Sequence, residues 1–252
     1  MDRRARRHAS SGSAKALLIG TSFALSLGMS TSMNSAYAAG TAYAVDTAEV
    51  GEAGGCKVEA WTSWARNRDG LATVSPSCIV SNMPHMEMVV QTTRGRADQD
   101  WYTSVSPFVK INLVPGAIGK LGLGVVGGTI YDAVKGDTAS NFVYVPATLR
   151  LSKTMRLNLN GGWIGDRAND RDFATYGAGF DWLFMPKFSL TLETFGQFNG
   201  DSLGWETRPR FQTGVRFRPV DEFSVDFIYG HNINGEGSHW LTLSTAYRFS
   251  LF

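Results

Sequence analysis

The stretch Thr207 to Pro219, TRPRFQTGVRFRP, decides the fold. Arg208, Arg210, Gln212, Arg216 and Arg218 share one parity, and Phe211, Thr213, Val215 and Phe217 share the other. Successive side chains of a β-strand point to opposite faces, so the segment predicts a strand with one cationic and one apolar face. A membrane barrel accommodates both, with arginines in the lumen and phenylalanines in lipid.

The neighbouring segments repeat this code. Phe223, Val225, Phe227 and Tyr229 oppose Ser224 and Asp226, while Leu190 and Leu192 oppose Ser189, Thr191, Glu193 and Gln197. Leu157, Leu159 and Trp163 oppose Arg156, Asn158 and Asn160. Trp101, Val105, Val109, Ile111 and Leu113 oppose Tyr102, Ser104, Ser106, Lys110 and Asn112. Clusters rich in Gly, Asp, Asn and Pro separate these segments, as turns between strands require. From Met86 the pattern predicts strands at 86–95, 100–113, 119–131, 141–152, 155–165, 172–184, 188–198, 206–218, 223–231 and 239–249.

Residues 56–80 fold back on themselves if Asn67 and Arg68 form the turn. Cys56 then faces Cys78, Ala60 faces Val74 and Thr62 faces Ala72. One face carries Val58, Ala60, Thr62, Ala72 and Val74, and the other Lys57, Glu59, Trp61, Thr73 and Ser75. This hairpin brings the expected architecture to an all-β, antiparallel, up-and-down transmembrane barrel of twelve strands; ten strands plus a periplasmic hairpin is the alternative. Two cysteines in an exported chain point to a disulfide, Cys56 to Cys78, because no His/Cys cluster completes a metal site. The connections 152–154, 185–187 and 219–222 are short and 166–172, 199–205 and 233–238 longer, which suits short periplasmic turns and longer outer loops.

Upstream, Arg3, Arg4, Arg6, Arg7 and Lys15 precede the apolar run Ala16 to Met29 and then Ala36-Tyr37-Ala38. This is the pattern of a signal peptide, residues 1–38, cleaved after Ala38. Removing it leaves 19 basic against 21 acidic groups, a formal charge of −2 in place of +2. The basicity belongs to the signal, which excludes a nucleic-acid footprint. Residues 39–55, small, acidic and without periodicity, read as a flexible periplasmic lead-in, and 56–252 as the barrel. With 28 Gly, 12% aromatic and 18% charged residues, the composition suits many turns and an aromatic surface.

Charged residues at membrane depth face an interior. The lumen-lining set is Lys110, Arg150, Arg156, Asp181, Glu193, Arg208, Arg210, Arg216, Arg218, Asp226 and Arg248, with Glu59 and Glu87 as further acids. Two readings stay open: a pore favouring anions or carboxylated solutes, or a paired network filling a closed barrel. Gly122, Gly124 and Gly128 share the lumen face, where small residues make room for long arginines or keep a channel open.

The histidines do not form a catalytic constellation. Asp226 lies five residues before His231, on the opposite strand face, and Ser238 and His239 are adjacent and so also point apart. Neither an enzymatic activity nor a cofactor or metal is expected.

The segment Trp240 to Phe249, apolar or aromatic at 241, 243, 247 and 249, resembles the closing strand that the barrel-assembly machinery recognises; Ser250-Leu251-Phe252 follows, so Phe249 or Phe252 serves as the signal. Together with Tyr176-Gly177-Ala178-Gly179-Phe180 and Phe211-Gln212-Thr213-Gly214-Val215-Arg216-Phe217, the layout resembles Gram-negative transporter barrels grouped near the phenol-degradation MetA-type family. The resemblance implies an outer-membrane barrel; the lumen charge pattern points to a channel or transporter for small solutes, passive and arginine-lined, with a structural or adhesive closed barrel as the alternative. Its expected partners are outer-membrane lipid and lipopolysaccharide, the barrel-assembly machinery and a small solute.

Overall fold

The computed structural model describes residues 42–66, 68–83, 85–97, 100–167, 170–198, 209–233 and 239–250. The strands are β1 Gly55–Ala65, β2 Gly70–Ile79, β3 Met86–Ala97, β4 Asp100–Val114, β5 Leu121–Asp132, β6 Asp137–Arg150, β7 Met155–Asp166, β8 Arg171–Met185, β9 Phe188–Phe198, β10 Arg210–Val220, β11 Phe223–Asn232 and β12 His239–Ser250. Each pairs antiparallel with its sequence neighbours, and β1 pairs with β12 from Gly55↔Ser250 to Ala65↔Trp240, closing a twelve-strand barrel. Closure leaves no unpaired strand edge, which is the condition for sheet structure in a bilayer.

The first hairpin has the register expected from sequence: Cys56↔Cys78, Ala60↔Val74 and Thr62↔Ala72. The cysteines face each other with Cα atoms 4.1 Å apart and are joined by a disulfide. β1 is a full barrel strand, so the alternative of ten strands plus a separate hairpin is excluded. Expected strand limits hold to within a few residues. β10 begins only at Arg210, because Pro209 has no N–H to give to the ladder.

Parity sorts the two surfaces. Glu59, Thr73, Ser75, Ser77, Glu87, Thr148, Asn158, Glu193, Asp226 and Ser244 are buried on the inner face. Val74, Val90, Val143, Leu159, Val215, Phe227 and Leu243 are exposed outside, midway along their strands. Toward the end opposite Gly55 and Ser250, the far end, the outer face carries Trp64, Trp101, Tyr131, Trp163, Phe198 and Tyr229. Trp182, Phe184, Phe217 and Tyr247 are exposed toward the near end. An aliphatic band between two aromatic girdles is the surface that a bilayer solvates and water does not. The strands, 10 to 15 residues long, meet or exceed the roughly 9–11 that a tilted strand needs to span hydrocarbon.

The alternation of connection lengths holds only in the C-terminal half. Two-residue turns, 186–187 and 221–222, join β8 to β9 and β10 to β11 at the near end. In the N-terminal half the near-end connections 80–85 and 115–120 are longer than the far-end connections 66–69 and 98–99.

Residues 42–54 depart from the expected flexible lead-in. Tyr43, Val45, Thr47, Ala48 and Glu49 are buried inside the barrel. From Glu49, at the near end, the chain passes Glu52, whose carbonyl accepts from Gly55 N at 3.0 Å, and enters β1. The physical reason is complementarity: short acidic and apolar residues meet inward-facing cations, amides and glycines contributed by strands far away in sequence.

Candidate functional site

The inner wall holds the segment Tyr43 to Glu49 at successive levels. Tyr43 Oη donates to Asp226 Oδ1 at 3.1 Å. Arg216 Nε donates to the same oxygen at 2.6 Å, and its guanidinium lies 5.4 Å from the centre of the Tyr43 ring. Burial, then the Asp226 carboxylate, pushes the Tyr43 phenol well above its ordinary range, so it stays protonated and donates. One level nearer, Glu193 accepts from the backbone N–H groups of Ala44 at 3.0 Å and Val45 at 3.2 Å, and from Gln212 Nε2 at 2.6 Å.

Asp46 is gripped on both oxygens. Lys110 Nζ lies 2.8 Å from Oδ1, and Tyr144 Oη donates to Oδ2 at 3.2 Å. The Asn160 amide, oriented to satisfy both, accepts from Asp46 N at 2.7 Å and donates to Asp46 O at 2.9 Å. Thr148 Oγ1 accepts from Ala48 N at 2.9 Å, and Asn112 Nδ2 donates to Ala48 O. Glu49 is again gripped twice, by Arg150 Nε on Oε1 and by Arg156 Nη1 on Oε2 at 3.1 Å. Arg156 is shared, its Nε donating to Asp181 Oδ2 at 2.7 Å, while Asn158 and Thr191 complete that carboxylate.

Inward-facing glycines make the space. A Cβ on Gly177 would stand 2.9 Å from Val45 Cγ2, one on Gly179 3.3 Å from Val45 Cβ, and one on Gly124 3.3 Å from the Ala48 carbonyl oxygen. A Cβ on Gly214 would meet the Tyr43 hydroxyl. The room expected for arginine side chains thus serves backbone and short side chains of the N-terminal segment. Gly128 instead lies under Phe108 and Phe142, and Gly122 against the Gly116 backbone. The two sequence pieces centred on Gly177 to Gly179 and on Gly214 are docking positions.

Of the residues expected to line the lumen, Lys110, Arg150, Arg156, Asp181, Glu193, Arg216 and Asp226 contact the segment or its immediate partners. Arg210 packs its guanidinium 4.9 Å from the Phe195 ring centre. Arg218 and Arg248 are half-buried at the near end, and Arg208 lies outside the described residues. Lys57 joins the inner network, 3.5 Å from Glu59 and 3.3 Å from Glu87. Among the described residues expected to line the wall, Lys110, Arg150, Arg156, Arg210, Arg216, Arg218 and Arg248 outnumber the carboxylates Glu59, Glu87, Asp181, Glu193 and Asp226, and Asp46 and Glu49 add two more carboxylates. On the far side of Tyr43 lie two cavities of about 230 Å³ each, sharing Ala44, Phe195 and Arg210 in their walls.

His231 and His239 face away from the lumen at the far end. They form a cross-strand pair with ring centres 6.1 Å apart, and His239 Nδ1 lies 2.6 Å from Tyr229 Oη. Phe249, paired with Cys56, also faces outward and stacks on Tyr247 at 6.1 Å; Phe252 lies outside the described residues.

A family model described as uncharacterised conserved protein UCP029691 matches residues 27–249. The chain belongs to this family. No curated protein matches the sequence. Among solved structures it is similar to KdgM porin, alone and in complex with disordered oligogalacturonate. Each has a TM-score of 0.58 at 8% identity over 77% of this chain and 99% of that chain. It is also similar to the Acinetobacter baumannii outer membrane protein Omp33, with a TM-score of 0.46 at 9% identity over 77% of this chain and 97% of that one. The KdgM likeness shows the outer-membrane β-barrel fold.

Sequence reasoning missed the segment itself. The available signals were inward glycines on separate strands and an excess of wall cations. Neither names its counterpart without the closed barrel.

Proposed function

We propose that the protein is a passive channel for small solutes in the bacterial outer membrane, with an arginine-rich lumen that its own N-terminal segment closes. The carrying observation is the double grip on Asp46 and Glu49: wall cations suited to a solute pathway are neutralised by a piece of chain that is not part of the wall. In this reading the signal is cleaved after Ala38, the near end faces the periplasm, and lipid and lipopolysaccharide surround the girdles. The barrel-assembly machinery reads the closing strand. The fold shared with KdgM porin, described in complex with oligogalacturonate, and the resemblance to MetA-type transporter barrels support a solute path through the lumen. The role is transport without chemistry and needs no cofactor.

A closed structural or adhesive barrel is the second reading, favoured by the lumen being filled at the level of Asp46 and Glu49. Planar-bilayer recording separates the two. The mature chain is compared with a deletion of residues 39–50, each checked for barrel folding by its heat-dependent gel mobility. The channel reading expects rare openings from the mature chain and steady conductance from the deletion. No current from either folded protein leaves the closed barrel.

A further inference from the structure

We infer that the wall groups holding Asp46 and Glu49 are a binding site for a solute carrying two carboxylates, which the segment occupies as a stand-in. The inference rests on the channel reading and names its substrate class. Each carboxylate is held on both oxygens by separate donors: Lys110 and Tyr144 on Asp46, and Arg150 and Arg156 on Glu49. Two donors addressing the two oxygens of one carboxylate recognise its shape as well as its charge.

The grips belong to the wall. Lys110 lies on β4, Tyr144 and Arg150 on β6 and Arg156 on β7, so strand pairing keeps them in place when the segment leaves. Loss of the segment's carboxylates favours their replacement. With the segment docked, the side chains of Lys110 and Arg150 are 4% and 30% exposed and pair with Asp46 and Glu49, whereas Arg156 also keeps Asp181. A molecule that displaces the segment is therefore favoured when it brings anionic groups of its own, one for each grip. A monocarboxylate fills one grip and leaves the other without its anion.

The test uses the 39–50 deletion barrel in planar bilayers, with a series of linear dicarboxylates from succinate to suberate against acetate, butyrate and glucose. The expected result is current block by at least one dicarboxylate at a concentration tenfold or more below that of any monocarboxylate. The preference is lost in the Arg150→Gln/Arg156→Gln double variant. A synthetic peptide covering residues 39–51, added in trans, should block as well.

Should the deletion fail to fold, the full chain carrying Asp46→Ala and Glu49→Ala takes both carboxylates out of the grips, and the same comparison is read there. Equal block by mono- and dicarboxylates overturns the inference. If the peptide blocks but no dicarboxylate does, the channel reading stands and this inference fails. A folded barrel that passes no current removes the channel reading itself.

Discussion

Replacing Glu49 by Gln should release the N-terminal segment by a predictable amount. The Glu49 side chain is 6% exposed and bridges Arg150 and Arg156, whose side chains are 30% and 15% exposed. Removing one partner of a buried ion pair costs about 3–5 kcal/mol. The low end applies, because Arg156 keeps Asp181 at 2.7 Å and Arg150 is partly solvated. At about 1.4 kcal/mol per tenfold, a loss of about 3 kcal/mol raises the undocked population roughly 100-fold. The assay places a cysteine at Thr47, which is fully buried, and follows its labelling by a bulky maleimide. Cys56 and Cys78 are tied in the disulfide and do not compete. When docking is faster than labelling, the labelling rate tracks the undocked population. Glu49→Gln in the Thr47→Cys background should therefore label about 100 times faster. A change below about threefold would refute the reasoning that this carboxylate holds the segment.

Other outcomes follow from the same geometry. Gly177→Val, which puts a branched side chain where Val45 packs, should raise open probability in bilayers while leaving the barrel folded; unchanged gating would remove Val45 from the docking account. Phe227→Arg places a charge on the outer face midway along β11, and should cost about 2–4 kcal/mol in a reversible lipid-folding titration. A Phe227→Arg barrel as stable as the parent would mean this face does not meet hydrocarbon. Alkylation under denaturing conditions without reductant should add no mass to the purified mature chain, and after reduction should modify both Cys56 and Cys78; modification without reductant would contradict the bridge. Raising the pH to about 10.5, where an ordinary phenol is largely ionised, should leave the segment docked at Tyr43, since burial holds its phenol protonated above the ordinary range. Accelerated Thr47→Cys labelling there, after correction for thiolate chemistry with a free-thiol standard, would count against that contact.

The fold was legible because strand side chains alternate with a period of two. Arg210, Gln212 and Arg216 against Phe211, Val215 and Phe217 identify the inner and outer faces without any knowledge of neighbours. The same parity placed Glu59, Lys110, Glu193 and Asp226 inside, and folding residues 56–80 back about Asn67 and Arg68 gave the Cys56 to Cys78 register that the first hairpin has. Residues 42–54 carry no such period. Their conformation comes from contacts with Lys110, Thr148, Glu193 and Asp226, separated from them by 64 to 183 positions. Local sequence therefore determined which way each strand side chain points. Only closure of the barrel, by converging cations, amides and glycines from β4 to β11 on one line of chain, decided that the lumen is filled and by what.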